Sequence, residues 1–248
     1  PKDVFSPLKQ YQNGVPHNKI FCKPELMPIM SKSGSIYCVQ PKTAITLNNA
    51  LDWSVNHPEM PQIQLKNQDL QGLNFEHLNL SNSDFSKANF DTTEISNVNF
   101  TRANLSYTNL SSHDLTGTIL RGADLSHTIL IGADLSGVDL TGTILKGSNL
   151  SNSDLTGVDL TGVDLTGVNL IGVDLSGKDL TGTILTNANL ENVMLENVHI
   201  IDATLDGANL TNANLRKSLL VDANLSNTIL TGADMTNVVL TGAILTNA

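Results

Sequence analysis

Beyond residue 61 the chain has no proline, no cysteine and no tryptophan. All eight prolines, both cysteines and the single Trp fall before residue 62. The long remainder therefore cannot be a disulfide-stapled scaffold or a cysteine-ligated metal domain. No apolar run is long enough to span a membrane as a helix. Aromatic residues make up only 4% of the chain, so a large aromatic core is also excluded. Catalytic groups are equally sparse. The six His are dispersed, and there is no nucleophile elbow, phosphate loop or metal-ligand set. The expectation is a protein that is not an enzyme and has no cofactor and no metal.

What the chain does have is a period. From Leu65 to Leu245 every residue number divisible by five carries a large apolar residue: 37 positions, thirty of them Leu. Two residues before this centre, 31 of 37 positions are Ala, Val, Thr or Ser. In an extended segment these two columns point the same way, so together they fill a narrow interior. One residue before the centre, 24 of 37 are Asp or Asn, and these point outward. Two after the centre, 27 of 37 are Gly or Asn, including all sixteen glycines beyond Leu65. Gly and Asn tolerate the positive φ that the third position of a type II turn requires. Each unit is a short extended step followed by a tight turn, and a chain that turns every five residues must coil. A helix fails, because a period of five spreads the centres around its axis and recurrent Gly destabilises it.

Segments such as Ala123-Asp124-Leu125-Ser126 and Ala133-Asp134-Leu135-Ser136-Gly137 resemble the A(D/N)LXX motif of the pentapeptide-repeat family. The resemblance covers about three quarters of the chain. It implies an all-β solenoid, a right-handed quadrilateral β-helix with four units per coil. Thirty-seven units then make about nine coils, a rod about 45 Å long.

Two domains are expected, 1–60 and 61–248. The first has six basic and four acidic residues, the second eight and twenty, so the net charge changes from +2 to −12. In the first, Phe21-Cys22 and Ile36–Val39 read as strands, Ser31–Gly34 as a turn, and Lys42 to Val55 as a helix with Ala44, Leu47, Leu51 and Val55 on one face. Cys22 and Cys38 form a disulfide or are two buried thiols. The disulfide is favoured because these are the only two cysteines and lie in one hairpin-sized unit. Ser6-Pro7-Leu8-Lys9-Gln10, Cys22, Cys38 to Ala44, Leu47 and Trp53 resemble a two-cysteine module of secreted or surface proteins of archaea. That resemblance implies an extracellular or cell-surface location. The chain does not begin with Met, which fits a processed or a trimmed chain. The module is expected to cap the rod.

Several features stand out from the repeat. Asp139, Asp159 and Asp179 form one row and Asp114, Asp134, Asp154 and Asp174 another. Hydration is the expected role of both, ahead of Ca²⁺ binding. Asn89, Asn109, Asn149, Asn169, Asn189 and Asn209 form a third row. Seven N-x-S/T sequons, at Asn79, Asn99, Asn104, Asn109, Asn149, Asn209 and Asn224, arise mostly from the repeat itself. His113 and Lys178 break the small inward column and are expected to distort the coil locally. Lys87, Tyr107 and His127 should stack on one edge. Ile201, Leu219, Val221 and Val239 occupy outward columns of one face, and Ile131 pairs with Ile171 on another. No capping helix follows Leu245, so Leu240 and Leu245 should be open to solvent. These residues form the expected interface of a homo-oligomer, either an end-to-end dimer or a head-to-tail stack.

The function expected is a structural or protein-interaction rod that self-associates through its last coils, with no nucleic-acid partner. The alternative is a DNA mimic. Bacterial quinolone-resistance members of the family resemble duplex DNA and bind type II topoisomerases, and an acidic rod is compatible with that role.

Overall fold

The computed structural model describes residues 64–248 and the backbone of two short strands, β1 (Met27–Met30) and β2 (Ile36–Val39). The strands pair antiparallel, with Pro28 opposite Cys38. Ile36–Val39 is extended as expected. Its partner Met27–Met30 is not marked by the sequence reading, because Pro28 weakens the strand signal. In a two-stranded ribbon both strands are edges, where a missing N–H is tolerated. The expected strand Phe21-Cys22, the helix, the cap contact, the Cys22–Cys38 bond and the 60/61 boundary lie outside the described residues.

Residues 64–248 form a right-handed quadrilateral β-helix. The bridges link residues twenty apart in parallel, as in Gln64 to Asp84 and Asp84 to Asn104, so four five-residue units complete a coil. At most corners the centre carbonyl accepts the N–H three residues on, as Leu65 does from Gln68 at 3.1 Å. The residue two after the centre has positive φ at all 37 corners, 21 of them not glycine. With negative φ at the preceding residue, that is a type II turn. Asn suits this conformation; Thr92, β-branched, holds it at a cost in strain.

The interior is a single column of side chains. Centres are buried from Leu65 through Leu225. Phe75, Phe85, Phe90 and Phe100 enter from the four different sides. Their rings meet at 5.7 to 6.3 Å between centroids in tilted or edge-on geometry, filling the first coils. Small hydroxyl residues in the inward column, with the exception of Ser148, bond back to the chain. Thr128 donates to the Leu105 carbonyl at 3.0 Å and Thr183 to that of Leu180 at 2.7 Å. A Thr is thus tolerated beside Leu because its polar atom has a partner.

Candidate functional site

The outward Asp/Asn column does more than hydrate. In all 24 units that carry Asp or Asn, its Oδ1 accepts the backbone N–H two residues on. Each side chain caps the start of its own turn. Hydration is therefore an incomplete account: the column is a structural repeat of its own. The Thr181 hydroxyl and N–H hold the Asp179 carboxyl below the usual range, and Thr141, Thr156 and Thr166 do the same for Asp139, Asp154 and Asp164. For Asp159 the Thr161 N–H is the larger cause, and the neighbouring Asp179 opposes it. Of the Asn row, Asn209 donates to Asn189 at 3.2 Å.

The two residues that break the small inward column each mark an opening of the ladder. His113 is half-buried, with its ring nitrogens 3.1 Å from the Ser111 carbonyl and 3.0 Å from that of Phe90. Among the described residues no bridge joins Asn89 to Asn109 or Glu94 to Asp114. Lys178, also half-buried, donates to the Val158 carbonyl at 3.2 Å. Around it the bridges from Asp139 to Asp159, Ile144 to Asp164, Asp154 to Asp174 and Asp159 to Asp179 are absent among the described residues. The opening is a polar cleft of about 440 Å³ lined by Ser153, Asp154, Leu155, Asp174, Ser176 and Lys178, among others. The expected distortion is present at both places. Its cause is size and charge: a side chain too large for the column spreads the coils, and its polar head takes a carbonyl that the ladder gives up.

The expected edge stack is also present. Tyr107 and His127 lie parallel, 4.8 Å between centroids, and the Lys87 Nζ sits 5.4 Å from the Tyr107 ring centre. A methyl group at Gly147, the next corner, would meet the His127 ring at 2.8 Å, so a larger residue there would push the ring out of its place.

The residues expected at the interface are brought together, though less openly than expected. His199, Leu219 and Val239 stack by bridges, and Ile201 and Val221 follow two residues on in their coils. Val239 and Leu245 are 39% and 42% exposed; Ile201, Leu219, Val221 and Leu240 are half-buried. Ile131 is exposed and Ile171 half-buried. A different apolar set is missing from the sequence reading. Ile119, Ile129, Ile144, Ile184, Ile229 and Ile244 are all exposed in the capping column, where Ile replaces Asp or Asn. The signal was available as the recurrent triplet Thr-Ile-Leu, with Ala-Ile-Leu at Ile244. Among the described residues no His/Cys/Asp/Glu group has metal-binding geometry, and no helix is long and apolar enough to cross a membrane.

No curated protein sequence matches the chain significantly. Solved structures of similar chains include HetL, a pentapeptide repeat protein involved in heterocyst differentiation regulation from the cyanobacterium Nostoc sp. strain PCC 7120. It is 25% identical, with 82% of this chain and 96% of that one covered and a TM-score of 0.37. Another is Rfr23 from the cyanobacterium Cyanothece 51142, 30% identical over 69% of this chain and 90% of that one, TM-score 0.15. QnrB1, a plasmid-mediated fluoroquinolone resistance protein, is 18% identical over 76% and 88%, TM-score 0.35. A family profile for pentapeptide repeats matches eight overlapping copies between residues 62 and 247. With that match spanning the whole coil, the chain belongs to the pentapeptide-repeat family.

Proposed function

We propose that the protein is a non-catalytic interaction rod, placed outside the cytoplasm or on the cell surface, that self-associates through its last coils. One observation carries the self-association. Burial of the inward column fades along the final coil, from 0% exposure at Leu225 to 42% at Leu245, with Leu230, Met235 and Leu240 between. Val239 and Ile244 add exposed apolar surface at the same end. Burying the part still exposed stabilises by roughly 1 kcal/mol for each of the most open residues, which favours covering them. A second copy of the same end would cover them in an isologous contact. The test is light scattering of the unmodified chain and of a Val239→Lys, Leu245→Lys variant. A dimer that persists at high salt and that the variant loses there supports the contact; a strict monomer at high micromolar concentration sinks it. The location rests on the Cys22, Cys38 pair and the likeness of residues 1–60 to a secreted module. Two freely alkylated thiols in protein from its native source would remove that support.

The DNA-mimic reading has the aspartate rows in its favour. Charge density counts against it. A net −12 over about 45 Å is about one charge per 4 Å. Duplex DNA carries one per roughly 1.7 Å. A supercoiling assay with a type II topoisomerase separates the two, with no inhibition expected.

A further inference from the structure

One side of the rod is polarised along its length. Its rungs stack at Gln64, Asp84, Asn104, Asp124 and Ile144 and, past the opening between Ile144 and Asp164, at Asp164, Ile184, Thr204, Asn224 and Ile244. The first five rungs carry Lys66, Lys87, Arg102, Arg121 and Lys146 against Asp84 and Asp124. That is five of the eight basic residues beyond residue 60. The rungs of Asp164 to Asn224 carry Asp164, Asp202, Asp206 and Asp222 and no Lys or Arg. An otherwise acidic rod thus has one side with a basic half and an acidic half. Arg102, Arg121, Asp202 and Asp222 are all exposed, and none forms an ion pair among the described residues.

We propose that two copies of the chain pair side by side and antiparallel through this face, about a two-fold axis that crosses the rung of Asp164. This deepens the reading of the protein as a self-associating rod but uses a different surface from the end contact. An axis lying in the contact plane reverses the rod direction and keeps each edge opposite the same edge of the partner copy. The rung of Ile144 then faces that of Ile184, the rung of Asp124 faces that of Thr204, and the rung of Asn104 faces that of Asn224. On one edge Arg102 meets Asp222 and Arg121 meets Asp202. On the other His127 meets Asp206. In the middle Ile144, 51% exposed, meets Ile184, 40% exposed. Every contact occurs twice, as an isologous interface requires.

The backbone permits the approach. Between Arg102 and Asp202 the first edge is four successive glycines, Gly122, Gly142, Gly162 and Gly182. A methyl group at Gly162 would touch nothing within 4 Å. On the second edge Gly147 leaves the corner bare beside Ile144 and Gly167 beside Asp164, while the small Asn187 follows Ile184. One opposition is unfavourable: Asp164 meets its own copy at the axis. An unrelated partner of a single charge sign would be repelled by half of the face, so a second copy is the occupant that fits both halves. The face is narrow, about 30 Å long over the seven rungs that match. The contact is therefore below the standard interface size and held partly by exposed charges, which makes it weak and salt-sensitive.

The test uses the Val239→Lys, Leu245→Lys background, which removes the end contact. At high micromolar concentration and low salt, light scattering should give twice the chain mass, falling toward one at high salt. Adding Arg102→Glu with Arg121→Glu, or separately Asp202→Lys with Asp222→Lys, should give monomers. An equimolar mixture of these two charge variants should regain the doubled mass, because each now complements the other; regain also proves that both are folded. A monomer at low salt in the background variant, charge reversals without effect on the mass, or a mixture that stays monomeric each overturns the side-by-side pairing. A dimer of the unmodified chain that ignores salt and both charge variants, yet is lost with the background pair, leaves the end contact standing and overturns this one.

Discussion

Two stretches of the same rod differ in how well their coils are joined. From Leu185 to Ile229 every rung is bridged to a neighbouring coil, and the inward column holds Ala, Val, Thr or Ser. From Asp139 to Asp179 four bridges are missing, and the inward column includes Lys178. The centres are Leu in both apart from Ile200, and all are buried. The large column therefore supplies the burial, while the small column decides whether the backbone ladder closes. His113 shows the intermediate case: a smaller intruder with two carbonyl partners coincides with two missing bridges instead of four. Packing at native density leaves little room, so even one oversized side chain moves the backbone.

That contrast can be broken hardest at the centre column. Leu205→Ala, at 0% exposure in the well-bridged stretch, should cost about 3 kcal/mol. Leu155→Ala, beside the cleft, should cost about half of that, because its surroundings have space to relax. Denaturant melts of the two variants measure the difference; equal losses would mean that the open ladder has no energetic consequence.

Lys178→Thr should remove the contrast from the other side. Thr fits the column and can bond to a Leu carbonyl, as Thr183 does. The Val158 carbonyl would then return to the ladder. A gain of about 1 kcal/mol is expected, with slower hydrogen exchange at the amides of Leu155, Leu160 and Asp179. Unchanged exchange there would place the cause of the opening in the valines at 158, 163, 168 and 173 instead.

The caps come next. Asn209 accepts from the Thr211 N–H and hydroxyl and donates to Asn189. Asn209→Ala should cost about 1 kcal/mol, whereas Ile229→Ala on the same face, where no cap exists, should cost less. A thermal melt that ranks them in reverse would show that the caps contribute little.

The smallest effect is that of acid. Five of the six aspartates held below the usual carboxylate range, Asp139, Asp154, Asp159, Asp164 and Asp179, lie in the loosely bridged stretch. A depressed folded-state pKa gives stability that is present above the unfolded value of about 3.9 and lost as pH falls through the lower folded value. Exchange in coils 139–179 should therefore accelerate below about pH 4 before that in coils 185–229 does. Simultaneous acceleration would separate the caps from local stability.

Much of this was open to inspection in the chain. The five-residue period, the turn at each Gly or Asn, and the misfit of His113 and Lys178 follow from side-chain size, backbone tolerance and the narrowness of a coil that closes every four units. The Lys87, Tyr107 and His127 stack follows from their twenty-residue spacing together with the four units per coil that the family resemblance implies. Two things were missed for physical reasons. The capping role of Asp and Asn depends on a hydrogen bond within three residues, and an outward direction by itself does not reveal it. The exposed isoleucines sit in a triplet that looks like ordinary apolar sequence until the register assigns Ile144 and Ile184 to the outside.

The sequence by itself determined a coil with a Leu-lined interior, because a strict period of five with a turn in every unit can bury its Leu only by coiling; its four units per turn and its hand came from the likeness to the pentapeptide-repeat family. Tertiary structure decided the surface. Arg102 and Asp202 are a hundred residues apart in the chain and share one edge of the rod only because four units make a coil. The cleft at Lys178 likewise exists because a coil above and a coil below must part around a side chain that neither can accommodate.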